Sequence, residues 1–234
     1  MPQSVHQVSR LDPGSWGIDA EQLPAIDDGP IHPQTWFQTP DQPAQTPDST
    51  PIELEIGSGK GTFLVQQALA EPSVRYVGLE YARAFYRYAA DRLRRRNLPN
   101  ARAVHAEAAV FIQFLMPTAV FRQVHLYFPD PWPKKRHHKR RFFCLQNLQQ
   151  VHRILVDPHP DDPESGQFRI ATDHADYFAW MEDHASQAQH LFDRLPYRPP
   201  ASAGEAEVVG SNFERKYRDE GRSFHGMILR KRPQ

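Results

Sequence analysis

From Pro51 onward, short apolar runs alternate with stretches of helical spacing, and this alternation limits the possible folds more than any other feature of the chain. Ile52–Ile56, Arg75–Glu80, Ala101–His105, Gln123–Phe128 and Gln167–Thr172 read as strands. Helices are expected over about Lys60–Ala70, Ala82–Arg96, Glu107–Met116 (stopped by Pro117), Phe142–Val156 and Asp176–His190, with an acidic, Pro-rich loop at Asp157–Gly166 and a last strand at Ser223–Arg230. Strands separated by helices join through right-handed crossovers into a mainly parallel sheet. Residues 51–234 are therefore read as one α/β, Rossmann-like domain with helices flanking a central sheet. Such sheets bind ligands beyond the carboxyl ends of their strands, so the residues that follow each strand are the ones to inspect.

Residues 1–50 read differently. Eight prolines interrupt every candidate helix or strand, and seven acidic side chains face a single basic one, Arg10. This segment is expected to be a largely flexible, acidic extension, with Trp16, Trp36 and Phe37 as the side chains able to dock on the body. Because the whole chain has zero net charge, the body is correspondingly basic, as expected for a nucleic-acid partner. The single cysteine, Cys144, excludes an internal disulfide framework and a Cys-based zinc cluster, which favours a cytoplasmic setting. No metal site is expected, no apolar run is long enough to span a bilayer, and no secretory signal is read.

The first strand runs into Glu55-Ile56-Gly57-Ser58-Gly59-Lys60-Gly61. Glycines here permit a sharp turn and close approach of a ligand to the backbone. A phosphate-binding P-loop would need Gly at position 54 and Ser or Thr at 61, where the chain has Leu54 and Gly61. A dinucleotide fingerprint would need Gly at 62, where the chain has Thr62, and its pyrophosphate would be repelled by Glu55. S-adenosylmethionine carries an ammonium and a sulfonium and no phosphate, so a carboxylate beside the loop attracts it. Gly57 and Gly59 would then line the cofactor. Glu80, at the end of the second strand, could accept hydrogen bonds from both ribose hydroxyls, and Glu107, after the third, could meet the adenine amino group.

The fourth strand ends in Phe128-Pro129-Asp130-Pro131-Trp132, where two prolines stiffen a carboxylate beside aromatic rings. Six of the next eight side chains after Pro133, from Lys134 to Arg141, are Lys or Arg, and the other two are His137 and His138. All eight are expected to face phosphate. Cys144, in an apolar helical stretch, is expected in the core.

The E-I-G-x-G-x-G loop, the F-P-D-P-W-P-K-K-R-H-H-K-R-R segment and the late S-N-F-E-R-K-Y together resemble the bacterial tRNA (guanine-N7)-methyltransferases, over about Pro51 to the carboxyl terminus. The resemblance implies a class I methyltransferase fold with an antiparallel last strand, S-adenosylmethionine as methyl donor, and the guanosine at position 46 of the tRNA variable loop as acceptor. By motif, Glu55, Glu80, Glu107 and Asp130 match cofactor-contacting positions, and Asp130 also matches the catalytic one. Lys134, Asp173 and the stretch Ser211, Asn212, Phe213 and Glu214 match substrate-binding positions. The family usually has Asp or Asn where this chain has Glu107, and Thr where it has Ser211. Asp130, backed by Asp173 and Glu214, is expected to accept N1–H and N2–H of guanine. Methylation of another RNA site and a non-catalytic RNA-binding module with the same fold are the alternatives. No obligatory protein partner is read.

Overall fold

The expected strands all form in a computed structural model, which describes residues 11–38, 49–218 and 220–233. The regular elements are β1 (Gly17–Ile18), β2 (Ile52–Ile56), α1 (Thr62–Ala70), β3 (Arg75–Glu80), α2 (Arg83–Arg95), β4 (Ala101–His105), α3 (Ala108–Val110), β5 (Gln123–Tyr127), α4 (Leu145–Ile154), β6 (Gln167–Thr172), α5 (Ala175–Gln187), β7 (Phe192–Leu195), α6 (Asn212–Arg218) and β8 (His225–Lys231). They build an eight-stranded sheet in the order β1-β4-β3-β2-β5-β6-β8-β7. All pairs are parallel except those of β8, which runs antiparallel to β6 and β7. The chain moves outward from β2 through β3 to β4, then returns to place β5 on the other side of β2, so the switch point lies at the centre of the sheet.

Period-two alternation decides which layer each strand residue joins. Leu54, Ile56, Val77, Leu79, Val124 and Leu126 share one buried cluster with Leu148, Val151 and Ile154 of α4 and Tyr177 and Met181 of α5. Leu64 and Val65 of α1 and Tyr86, Ala89 and Leu93 of α2 form a second cluster with Tyr76, Ala101 and Ala103. Each fully buried large side chain contributes about 1.5–3 kcal/mol, which makes the sheet a stiff base for the turns at its carboxyl edge. The expected helix after Glu107 is mostly a five-residue π turn, Phe111–Leu115, which buries Phe111, Ile112 and Leu115. The short β7, the edge strand β1 and α6 had no counterpart in the periodicity.

Within the expected extension, residues 11–38 dock on the body. The internal structure of this segment is limited to short 3-10 turns at Gly14–Trp16, Ala20–Gln22, Ile26–Asp28 and Pro33–Phe37, which leave side chains and a few backbone groups free to dock. Trp16 Nε1 donates to Leu98 O at 2.7 Å, and Gly17 and Ile18 pair with Ala103 and Val104, covering the edge of β4. Asp19 meets His105 Nδ1 at 3.0 Å and Arg83 at 3.2 Å. Ile31 N donates to Leu115 O at 2.8 Å, and Phe37 lies beneath the guanidiniums of Arg75 and Arg102. Residues 1–10 and 39–48 of the expected extension lie outside the described residues.

Candidate active site

Parallel register brings the sequence-separated candidates to one edge. Ile56 aligns with Leu79 and Leu126, Glu80 with His105, and Tyr127 with Ala171. The glycine loop, Glu80, Glu107, Asp130 and Asp173 therefore all emerge from the carboxyl ends of adjacent strands, and the antiparallel β8 enters at the same edge, opposite Thr172.

The glycine loop turns on left-handed backbone at Gly57 (φ 75°) and Gly59 (φ 54°), and a Cβ on either would meet no atom within 4 Å. That open space lies directly above β2. Gly57 N and Ser58 N both donate to Leu79 O at 2.9 Å. Glu80 ties the loop to the next helix: one carboxylate oxygen accepts from Gly59 N and the other from Ala82 N, each at 2.7 Å. Lys60 turns away from the loop, its Nζ resting over the rings of Phe85 and Tyr88.

Two glutamates on the same face of β2 have opposite electrostatics. Burial pushes the Glu53 carboxyl up, but His125 and Arg122 outweigh it and hold it below the usual range. Glu53 Oε2 lies 2.9 Å from His125 Nε2, and Arg122 closes the other side. Glu55 is also buried and pairs with no cation among the described residues. Burial, with added repulsion from Glu80, pushes its carboxyl up to about 8 against a smaller opposing pull from the Leu64 backbone N–H. Its Oε2 is buried with no hydrogen-bond partner among the described residues, as is the neighbouring Ser58 Oγ. A buried carboxyl with one unpartnered oxygen beside an open glycine turn fits a cationic ligand such as the methionyl ammonium of S-adenosylmethionine and opposes a pyrophosphate.

This arrangement predicts proton-linked cofactor binding. A raised carboxyl pKa means that the ligand-free protein holds a proton on Glu55 that the unfolded chain has released, so between about pH 4.5 and 8 this group's contribution to stability falls as pH rises. A cation that binds the ionised form displaces that proton. Cofactor affinity is therefore expected to rise with pH up to about 8 and then level off. Calorimetry in buffers of different ionisation enthalpy should show proton release in the wild type and none in Glu55→Gln. A pH-independent wild-type affinity would remove Glu55 from the cofactor site.

Glu107, expected to meet the adenine amino group, uses both carboxylate oxygens within its own helix. It caps α3, accepting from Ala109 N at 3.1 Å and Val110 N at 2.8 Å. Here the longer side chain reaches back to two orphan donors of its own helix.

The Phe128–Trp132 segment is held in a tight double bend. Phe128 (φ 50°) and Trp132 (φ 43°) both adopt left-handed backbone, at a cost of about 1–3 kcal/mol each. Between them Asp130 is exposed, and its carboxylate makes no hydrogen bond or ion pair with the described residues. Packing holds the bend. The Phe128 ring lies 4.9 Å from Phe213 and 5.8 Å from Phe224, and Arg141 Nε donates to Pro131 O at 2.8 Å. Arg141 was expected among the phosphate-facing cations. It is instead buried, with its guanidinium over Tyr177 and Trp180, and acts as an internal strut. His137 and His138, also expected to face phosphate, pack against Trp132 and Trp180. Lys134, Lys135, Arg136, Lys139 and Arg140 remain exposed, the last four on a 3-10 turn. Cys144, expected in the core, is half-buried at the start of α4.

At the far side of the rim Asp173 is engaged by Arg222, Oδ2 to Nη1, at 2.7 Å, and the same guanidinium lies 3.8 Å from the Tyr217 ring centroid. Ser211 Oγ caps α6 by accepting from Glu214 N at 3.1 Å. Asn212 opens that helix, and its side chain lies outside the described residues. Phe213 is exposed and touches Phe128. Glu214 was expected to face guanine, but it is fully buried. Its carboxylate accepts from the N–H groups of Val208, Val209 and Gly210 and from Arg218. With every acceptor direction occupied, Glu214 shapes the loop that carries Phe213. Arg222 and the exposed Tyr81 beside Glu80 were not singled out by sequence, because neither sits in a recognisable motif.

A cavity of about 530 Å³ lies at the opposite edge of the sheet, lined by Arg153, Asp157 and Lys231 among others. Its cations are spent on structure: Arg153 holds Met116 O and Ile112 O, and Lys231 holds Leu155 O and Asp157.

Comparison with known proteins shows the family and the fold. A family model described as "Putative methyltransferase" matches residues 49–227. The chain is 33% identical to a tRNA (guanine-N(7)-)-methyltransferase of Rhodopirellula baltica, over 95% of this chain and 76% of the relative. It is 35% identical to one of Alkalilimnicola ehrlichii, over 78% of this chain and 73% of that one. An alignment over 95% of the chain reaches well into the first fifty residues, which the motifs had left out. Among solved structures, the aminoglycoside resistance methyltransferase NpmB1 aligns over 79% of this chain and 89% of its own with a TM-score of 0.51 at 16% identity, a likeness of fold.

Proposed function

Because this chain belongs to the tRNA (guanine-N7)-methyltransferase family, we propose that it methylates N7 of the guanosine at position 46 in the variable loop of tRNA, in the cytoplasm, with S-adenosylmethionine as donor. The observation that carries this reading is the Glu55 carboxyl, whose Oε2 is buried without a partner among the described residues beside an open glycine turn, with Asp130 exposed on the same rim. Among the described residues no helix is long and apolar enough to cross a membrane.

The chemistry asks little of acid–base groups. When bound, S-adenosylmethionine supplies a methyl carbon already activated by its sulfonium. Guanine N7 carries a free lone pair, so no proton has to leave before attack. Holding the two partners in line then supplies most of the acceleration, worth roughly 7–11 kcal/mol for a well-oriented pair. Glu55 would hold the ammonium, and Glu80 the ribose hydroxyls through its remaining lone pairs. Gly57 and Gly59 keep the turn low enough for close approach, while Glu107 sets the start of α3 beside the adenine. Asp130 would accept N1–H and N2–H of guanine, a donor face that adenine lacks, and would offset the positive charge that develops on the ring. Asp173 can join it once Arg222 lets go, and Phe213 and Ser211 border the base.

Lys134 to Arg140 would grip the tRNA backbone. Replacing the exposed Lys135, Arg136 and Lys139 together by Ala is expected to lower the slope of log affinity against log salt by about one for each phosphate that is no longer neutralised. An unchanged slope would place the RNA elsewhere. Arg141→Ala is expected to loosen the Pro131 bend and lower thermal stability with little change in that slope.

The decisive experiment incubates unmodified tRNA with labelled S-adenosylmethionine and then cleaves chemically at 7-methylguanosine. Cleavage at position 46 supports the proposal. Cleavage elsewhere reassigns the site, and cofactor binding without label transfer leaves a binding module.

A further inference from the structure

We propose that the exposed aromatic and cationic stripe of α2, with Lys60 beside it, is a second RNA-contacting surface on which unpaired nucleotides of the substrate tRNA stack. This rests on tRNA being the substrate, and it concerns nucleotides other than the methylated one.

Within α2, five arginines accompany one acidic residue, Asp91. The docked head takes up one flank of the helix: Arg83 is held by Asp19, Arg87 by Leu11 O and Arg94 by Asp12 O. The buried flank, with Tyr86, Ala89, Ala90 and Leu93, packs on the sheet. A third flank is left uncovered by the described residues, and on it Phe85, Tyr88, Arg92 and Arg95 follow one another at three- and four-residue spacing. Phe85 is 45% exposed, far more than an interior residue needs, and Tyr88 is half-buried. Lys60 Nζ lies 5.8 Å and 5.6 Å from the centroids of these two rings. Arg92 fixes Lys60 in place by donating to its carbonyl at 2.8 Å and to Thr62 Oγ1 at 3.1 Å.

The chemistry selects the occupant. Exposed rings flanked by cations match unpaired nucleotides, whose bases stack and whose phosphates are anionic. Asp91 pairs with Arg94 and Arg95, so the stripe's unneutralised cations are Lys60 and Arg92, which have no carboxylate partner among the described residues. A second copy docked through the same face would set Lys60 and the arginines against like charge. The stripe begins just after Glu80 and Tyr81, so it runs from the active rim along the helix, where nucleotides beyond the variable loop can follow it.

The test compares the wild type with Phe85→Ala/Tyr88→Ala, Lys60→Gln and Phe85→Trp. Readouts are tRNA affinity at fixed salt, cofactor affinity by calorimetry, solution mass, and single-turnover methylation at saturating tRNA. The double variant is expected to bind tRNA roughly ten-fold or more weakly, with cofactor affinity, mass and the saturated rate unchanged. Lys60→Gln should show a smaller loss, and Phe85→Trp should retain wild-type binding. A tRNA affinity within two-fold of wild type would overturn the proposal. So would an equal loss of cofactor affinity, which marks a structural role, or a change in solution mass without a change in tRNA binding, which marks a protein interface. Wild-type protein that binds tRNA but forms no 7-methylguanosine would defeat the functional reading alone and leave this binding comparison intact.

Discussion

Asp130→Ala is expected to lower the single-turnover rate of methyl transfer by about 10²–10³-fold, with cofactor and tRNA affinities changed only a few-fold. The side chain is exposed and unpartnered among the described residues, so its removal costs the fold little. It sits between two left-handed residues, Phe128 and Trp132, whose strain the protein sustains through the Phe213, Phe224 and Arg141 contacts. Strain held at an exposed carboxylate suggests a positional demand there. Asp130→Asn should be almost as slow, because an amide meeting the N1–H and N2–H face sets one donor against another. Rapid-quench measurement at saturating tRNA and cofactor decides the matter. A near-normal rate would take Asp130 off the reaction path and leave positioning to Asp173.

Glu80→Gln is expected to weaken cofactor binding by about 100-fold or more, nearly as much as Glu80→Ala. The carboxylate presents two equivalent acceptors, and both are in use, one on Gly59 N and one on Ala82 N. An amide can serve only one of these donors, and its NH₂ would face the other. A missing charge-assisted bond and an unmet backbone donor each cost about 1–3 kcal/mol, before any ribose contact is counted. Thermal shift should separate this from global damage, since the sheet beneath does not depend on Glu80. Isothermal titration giving a wild-type affinity for Glu80→Gln would mean that the glycine loop holds its shape without that carboxylate.

Much of the scaffold was legible because it depends on local periodicity. Alternating segments such as Ile52–Ile56, apolar at every second position, fit a strand of a sheet, and crossover handedness then fixes which strand ends share an edge. That reasoning is what singled out the glycine loop, Glu80 and Asp130, and the register places all three at one edge. The docking of Trp16 was legible as an aromatic's option, but proline content is silent about which partner it finds, Leu98 O, or about Asp19 finding His105. Glu214 was misread because its motif position says nothing of the turn at Val208–Gly210, whose three N–H groups occupy the carboxylate. Arg141 belongs to a run of cations, and only packing separates the one stacked on Tyr177 and Trp180 from its solvated neighbours.

The sequence by itself determined the strand-and-helix alternation, the carboxylates at the strand ends and the chemistry of the cationic turn, since each depends on residue type and short spacing. Only the tertiary structure decided which of those charges are free to act. Glu53 and Glu55 are two residues apart on one strand and share a face, yet one is neutralised by His125 and Arg122 while the other is left with a buried, unpartnered oxygen. A carboxylate's ionisation and availability depend on the dielectric and the partners that distant segments bring to it, and those meet only when the chain has folded.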